Sequence, residues 1–317
     1  MIRTPEALLQ ALGLPEQLLP AARQGHQLFP VRVTQAFLNR IRPGDINDPL
    51  LRQVLPLTNE TEPSPPGFCK DPLAEEHAIA SPGLLHKYTS RVLTVSTSAC
   101  AIHCRYCFRR HFPYAEQRQS QDDFAQKLDY IRQNPAVNEV ILSGGDPLML
   151  PDTQLRRQME ALAALPQIRT VRIHTRLPVV LPERITDALL DALECFPRQR
   201  VLVIHCNHPQ ELDADVAKAL ARLRPLTTLL NQTVLLRGVN DTAETLIQLS
   251  QTLFECDVLP YYLHQMDPVE ATHHFTIADA RAVEIHRELT RSLPGYLVPR
   301  LVREEAGAPS KTLLISP

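Results

Sequence analysis

The chain has 317 residues, of which 44% are hydrophobic and 21% charged, with a net charge of −2. This is ordinary for a globular protein with a substantial core, in one large or two modest domains, and it gives nonspecific nucleic-acid binding no basic surplus to work with. Met1-Ile2-Arg3-Thr4-Pro5-Glu6 has none of the marks of a secretory signal, and no apolar run is long enough for a bilayer, so no membrane association is expected. Seven cysteines, an odd number, fit a reducing compartment better than a disulfide framework, and a cytoplasmic location is expected.

Residues 1 to 55 read as short helices. Residues 6–12 are apolar at helical spacing, and Thr34 is placed to cap a helix over 34–41. Pro5, Pro15, Pro20, Pro30 and Pro43 keep these pieces short. Arg23, Arg32, Arg40 and Arg42 read more readily as a solvated helix surface than as a docking face for an acidic partner. Between Pro56 and Pro82, Pro63, Pro65, Pro66 and Pro72 deny the backbone its donors, which predicts a linker and a boundary near residue 83.

From Arg91 the pattern is regular. β-rich runs at 92–97, 139–143, 171–175, 201–206, 229–236 and 258–263 alternate with helical patterns long enough for crossovers. Phe124, Leu128 and Ile131 share a face, as do Leu155, Met159 and Leu162, and Leu246, Leu249 and Leu253. Asp241 with Glu244, and Thr276 with Asp279, are expected to cap the fifth and sixth helices. Six strand–helix units with right-handed crossovers predict an α/β fold, a partial (βα)6 barrel over 84–294. The segment 295–317 adds strand-like runs at 296–302 and 312–315.

In parallel α/β architectures the chemistry gathers beyond the carboxyl ends of the strands. The unusual residues fall there: Cys100-Ala101-Ile102-His103-Cys104-Arg105-Tyr106-Cys107 after the first strand, Ser143-Gly144-Gly145-Asp146-Pro147 after the second, His174-Thr175-Arg176 after the third, His205-Cys206-Asn207-His208 after the fourth, and His264-Gln265-Met266-Asp267 after the sixth. Three thiolates on a four-iron cluster would leave one iron open to another ligand. The alternative is a zinc site completed by His103 or His111, although structural zinc normally pairs two short hooks and no second hook is obvious.

The Cys-x3-Cys-x2-Cys loop after the first strand resembles the radical S-adenosylmethionine (SAM) superfamily. The resemblance implies a [4Fe–4S] cluster on Cys100, Cys104 and Cys107, with SAM chelating the open iron and cleaved on reduction to a 5′-deoxyadenosyl radical. It also implies SAM contacts from Ser143, Gly144, Gly145 and Asp146, where glycine would let the backbone approach a ligand, and from His205.

Longer segments narrow the match. Arg91-Val92-Leu93, Cys104-Arg105-Tyr106-Cys107-Phe108-Arg109-Arg110, Arg176-Leu177-Pro178-Val179-Val180-Leu181-Pro182, the run from Asn231 to Asp241, Tyr261-Tyr262-Leu263 and Lys311-Thr312 resemble the lysine 2,3-aminomutase family. That family uses pyridoxal phosphate (PLP) beside SAM. The resemblance implies Lys311 as the Schiff-base lysine, Arg91 and Gln232 as phosphate-side contacts, Arg109 as the clamp on the substrate carboxylate, and Asp267 as a carboxylate for the lysine side-chain ammonium. The family's second ammonium-binding aspartate falls at Glu304, with Glu305 beside it as an alternative. The family's cysteine-bearing C-terminal extension has no counterpart after Lys311, so its interface zinc and tetramer are not carried over. This short form most resembles the bacterial branch acting in elongation factor P modification, which makes (R)-β-lysine from (S)-α-lysine for a separate ligase and needs a one-electron reductant. Two alternatives stay open: an aminomutase for another amino acid, and a non-enzymatic iron–sulfur or zinc module for electron transfer or regulation.

Overall fold

The computed structural model describes residues 1–113 and 121–314. The N-terminal part contains four short helices, α1 (Pro5–Leu12), α2 (Leu19–Leu28), α3 (Gln35–Leu38) and α4 (Pro49–Arg52). Thr34 caps α3 as expected, its side chain accepting from the Phe37 N–H, and Asp48 caps α4 in the same way. Their apolar faces, including Leu8, Leu12, Phe37, Leu50 and Leu51, belong to the same hydrophobic core as the rest of the chain.

Ten described strands form one sheet in simple sequential order. These are β1 (Ile79–Ser81), β2 (Leu84–Tyr88), β3 (Arg91–Thr97), β4 (Glu139–Gly144), β5 (Thr170–Thr175), β6 (Gln199–Ile204), β7 (Thr228–Leu235), β8 (Leu259–Gln265), β9 (Arg300–Arg303) and β10 (Thr312–Leu313). Every pair from β3 to β9 is parallel, while β1–β2, β2–β3 and β9–β10 are antiparallel. The crossovers carry α5 (Gln121–Gln133), α6 (Asp152–Ala163), α7 (Leu177–Val180), α8 (Asp187–Glu194), α9 (Ala214–Leu223), α10 (Ala243–Glu255) and α11 (Asp279–Ser292). Leu155, Met159 and Leu162 on α6, and Leu246, Leu249 and Leu253 on α10, are buried as their spacing predicts.

The period of two in each strand sorts side chains between two environments. Val92, Val140, Leu142, Val171, Ile173, Leu202, Ile204, Leu263 and Leu301 are buried in the core under the helices. The intervening Arg91, Leu93, Arg172, His174, Val201, Gln232 and Tyr262 stay half-buried and line the concave inner face. The sheet is not closed by backbone pairing. Lys87 on β2 nevertheless lies 3.2 Å from Glu304 just after β9, so the two ends of the curled sheet meet through side chains. A partial barrel is therefore the architecture, with one more parallel strand than the expected six.

Local details differ from expectation. Thr242, not Asp241 with Glu244, caps α10; the Asp241 carboxylate instead accepts from the Gly238 N–H at 3.0 Å. The helix α11 starts after Ala278 with no side-chain cap, because Thr276 and Asp279 straddle the cap position rather than occupy it. Residues 295–297 form a 3-10 turn, so the strand expected at 296–302 begins only at Arg300. The expected run 312–315 is a strand at 312 and 313, and Ile315 lies outside the described residues. No described helix is long and apolar enough to cross a membrane.

Candidate active site

The cysteine loop leaves the carboxyl end of β3 and is braced by the N-terminal segment. Arg32 Nη1 donates to the Cys100 carbonyl at 2.7 Å, His103 N–H to the Arg32 carbonyl at 2.9 Å, and Arg105 N–H to the Gln53 carbonyl at 2.9 Å. The buried Arg105 side chain reaches the Phe29 carbonyl at 2.6 Å and forms an ion pair with Glu60, which also holds Arg110 at 2.8 Å. The predicted linker thus supplies a buried counter-charge to this loop. Burial, then the Asp146 carboxylate and the thiols of Cys107 and Cys104, push the Cys100 thiol well up, and burial with Cys104 pushes Cys107 up to about 11.

The glycine pair packs against the cysteine loop itself. A Cβ on Gly144, at φ +111°, would meet the Thr97 carbonyl at 2.7 Å, and one on Gly145 would meet the Ala99 carbonyl at 2.4 Å. The close approach is therefore to the start of the cysteine loop, sealed by Gly145 N–H to Thr97 O at 2.7 Å and Asp146 N–H to Ala99 O at 2.8 Å. The Asp146 carboxylate accepts from Thr175 Oγ1 at 2.7 Å and the Arg176 N–H at 2.8 Å, tying β4 to β5. Ser143 Oγ accepts from Arg109 Nη1 at 3.0 Å.

A string of alternating charge crosses the mouth of the inner face. The buried Arg109 guanidinium forms a two-pronged pair with Glu75, with Nε–Oε2 and Nη2–Oε1 both 2.8 Å. Glu75 lies 3.4 Å from Lys87, Lys87 3.2 Å from Glu304, and Glu304 2.5 Å from Lys311. The antiparallel register of β9 and β10, with Thr312 opposite Arg303, brings Lys311 opposite Glu304. Burial opposes ionisation of Glu304, but Lys311 and Lys87 outweigh it and pull its carboxyl down to about 2. Glu305 is exposed and bonds Thr312 Oγ1 at 2.5 Å, so Glu304 is the carboxylate turned to the lysine. Asp267, after β8, has a buried Oδ1 without a protein partner; burial, then the Glu304 charge, push it up to about 7.

Deeper in, His174, His205 and His264 each bury an Nε2 that has no protein partner. Burial, then Arg176 and Arg109, lower His205 to about 4, and burial dominates the lowered values of the other two, so all three are neutral imidazoles. Gln232 lies on the same inner face on β7, beside Tyr262 in the register. Arg91 sits at the opposite end of β3 from the cysteine loop, its guanidinium 4.1 Å from the centre of the Tyr88 ring. The strand rise of about 3.3 Å per residue puts roughly 20 Å between those levels.

Orphaned polar atoms inside a barrel call for a polar occupant, because a buried group without a partner is costly. Asp267 Oδ1 and three imidazole nitrogens meet that description on the inner face, with Lys311, the residue before β10, holding its Nζ 5.7 Å from the Tyr262 ring centre. They fit a large polar ligand or cofactor. The thiols fit a multi-iron cluster, which takes one thiolate per iron, better than one ion. Among the described residues no three His, Cys, Asp or Glu side chains converge on a single-ion site. His103 is turned away, stacked on Phe29 with Nδ1 2.8 Å from the Pro30 carbonyl, and His111 Nε2 faces the Glu270 carbonyl at 3.4 Å.

Sequence reasoning missed Glu75 and Lys87 as members of this site, and placed His174 and His264 at the reacting ends of their strands without giving either a role. Glu75 sits in a stretch read as linker, and Lys87 on a short strand with little alternation to reveal it. His174 and His264 carried a usable signal, since each lies at a strand end.

The sequence model of the radical SAM superfamily matches residues 94–249. L-lysine 2,3-aminomutase of Escherichia coli (strain K12) is 48% identical over 316 residues, covering 99% of this chain and 92% of that protein. The protein of the same name from Haemophilus influenzae is 46% identical, covering 98% and 92%, and that from Clostridium subterminale 34% identical, covering 98% and 75%. With identity of this order over nearly the whole length, and with three loop thiols and a lysine-bearing hairpin at one end of a partial barrel, the chain belongs to the lysine 2,3-aminomutase family of radical SAM enzymes, which use a [4Fe–4S] cluster, SAM and PLP.

Proposed function

We propose that this enzyme moves the amino group of lysine from C2 to C3, converting (S)-α-lysine to (R)-β-lysine, and that the product serves elongation factor P modification through a separate ligase. The carrying observation is the charge layout of the inner face. Asp267 and Glu304 gather negative charge beside Lys311, and Arg109 offers a guanidinium on the far side of Glu75 and Lys87. A zwitterion with a cationic tail suits that arrangement; a glutamate side chain would meet the two carboxylates. Support also comes from the name shared by the relatives at 48% and 46% identity.

When bound, the cluster and SAM supply a 5′-deoxyadenosyl radical on one-electron reduction, and PLP supplies a carrier for the migrating nitrogen. In this reading Cys100, Cys104 and Cys107 hold the cluster, with Ser143, Gly144, Gly145, Asp146 and His205 shaping the SAM side. Arg91 and Gln232 hold the PLP phosphate, where a guanidinium suits an anion. Lys311 must yield its proton to act as a nucleophile, and Glu304, 2.5 Å away and itself held ionised, fixes where that amine sits. Glu75 aims Arg109, and Asp267 with Glu304 orients the substrate tail. The neutral histidines line the cavity without adding charge to the site. Residues 84–294 make up the reacting barrel, 295–317 carry the lysine, and 1–83 brace the cysteine loop.

The test is anaerobic reconstitution with iron, sulfide, PLP, SAM and a reductant, with lysine, arginine, ornithine and glutamate offered together and products resolved by chiral chromatography. The expected outcome is (R)-β-lysine as the dominant product. Conversion of another amino acid in preference, or β-lysine of the opposite hand, overturns the substrate or stereochemical reading. The pathway is tested separately, by asking whether the product is transferred to elongation factor P by its ligase.

A further inference from the structure

A buried polar cluster behind Cys104 has no part in the substrate site. Arg176, the residue after β5, is 6% exposed. Its Nη1 donates to Cys104 Sγ at 2.8 Å, and its Nη2 to Gln53 Oε1 at 2.6 Å and Glu211 Oε2 at 2.9 Å. Its backbone N–H is held by Asp146, and the Phe37 and Tyr106 rings flank the guanidinium at 5.2 and 5.7 Å. Glu211 is fully buried, and its Oε1 accepts from Gln53 Nε2 and the Asn207 N–H, both at 3.0 Å. The guanidinium is thus pinned on several sides, with one N–H aimed at a sulfur.

We propose that Arg176 is a positioning residue that raises the reduction potential of the cluster on Cys100, Cys104 and Cys107, by presenting a fixed positive charge and a hydrogen bond to the Cys104 sulfur, with Glu211 as the counter-charge that limits the effect. The inference rests on the reading of the three cysteines as cluster ligands. On reduction one electron enters and no bond forms or breaks, so the cluster gains one negative charge. A donor and a cation at a ligand sulfur favour that state over the oxidised one, and hydrogen bonding to sulfur is among the levers that set iron–sulfur potentials. Burial strengthens the effect, because little solvent screens either charge. The fork of arginine serves sulfur, amide and carboxylate together, which an ammonium on a flexible stem does less well. Gln53 lies at the C-terminal end of α4, so the N-terminal segment takes part in setting this arginine.

The experiment is an electron-paramagnetic-resonance redox titration of the reconstituted full chain without SAM, together with R176Q, R176K and E211Q, and with iron and sulfide counted per chain. At a fixed potential R176Q is expected to show a reduced-to-oxidised ratio about tenfold smaller than the parent, about 59 mV lower for a one-electron couple. R176K is expected to keep most of the parent potential, and E211Q to move upward. A strut with no electrical role would give no shift, or would shift R176Q and E211Q in the same direction, and either result overturns the proposal. If R176Q fails to hold iron, E211Q decides, since an unchanged or lower potential there is equally fatal. A parent chain that takes up no cluster would instead refute the cysteine assignment.

Discussion

Lys311, Glu304 and Asp267 divide one local excess of negative charge unevenly. Glu304 keeps its charge because two ammonium groups face it, and Asp267, without a hydrogen-bond partner on Oδ1, is driven toward the neutral form. A carboxyl raised to about 7 is protonated below that pH, and a neutral carboxyl attracts an ammonium tail weakly. KM for lysine is therefore expected to rise as pH falls from 8 to 6, and D267N should flatten that dependence while raising KM at pH 8. Steady-state assays across that range check both. Replacing Lys311 by alanine removes the proposed nucleophile without touching the thiols. K311A is expected to lose PLP absorbance after desalting and to lose turnover by orders of magnitude, with iron content unchanged. Amino migration at the parent rate in that variant would refute its role. The chemical types at these positions were legible in the sequence through the family resemblance, but the pairing of Arg109 with Glu75 was not. A salt bridge between residues 34 apart on two loops leaves no periodic trace.

At the scale of elements, the turn after β4 is the latch of the cysteine loop. Gly144 and Gly145 are set by contact with Thr97 and Ala99 of the preceding strand and loop, not by a tight turn alone. A methyl group at Gly145 would displace backbone, and overpacking of this kind costs about 1–3 kcal/mol. G145A is expected to lower the apoprotein unfolding midpoint and to cut iron uptake more than two-fold, measured by denaturant titration and iron assay. The β9–β10 hairpin has a comparable role for Lys311, because its register decides that the lysine meets Glu304. The strands and helices of the barrel were readable from alternation and helical spacing. The caps of α10 and α11 were not, since several neighbouring polar residues compete for one cap position and the backbone geometry selects among them.

For the whole molecule, the N-terminal helices and the proline-rich stretch wrap the loop from outside the barrel, and their key contact is Glu60 against Arg105 and Arg110. Removing one partner from a buried ion pair leaves a charge uncompensated, at a cost of about 3–5 kcal/mol. E60A is expected to lose stability of that order in apoprotein denaturation; a loss below 1 kcal/mol would mean that the stretch does little to hold the loop. The sequence by itself determined the parallel α/β plan, the three-thiol loop at a strand end and the family, because periodicity, spacing and long matching segments are properties of neighbours along the chain. Only the tertiary structure decided that a proline-rich stretch carries buried counter-charges, that Lys87 bridges the open seam to Glu304, and that Arg176 points at Cys104. Those contacts join residues far apart in the chain, and the curl of the sheet brings them together.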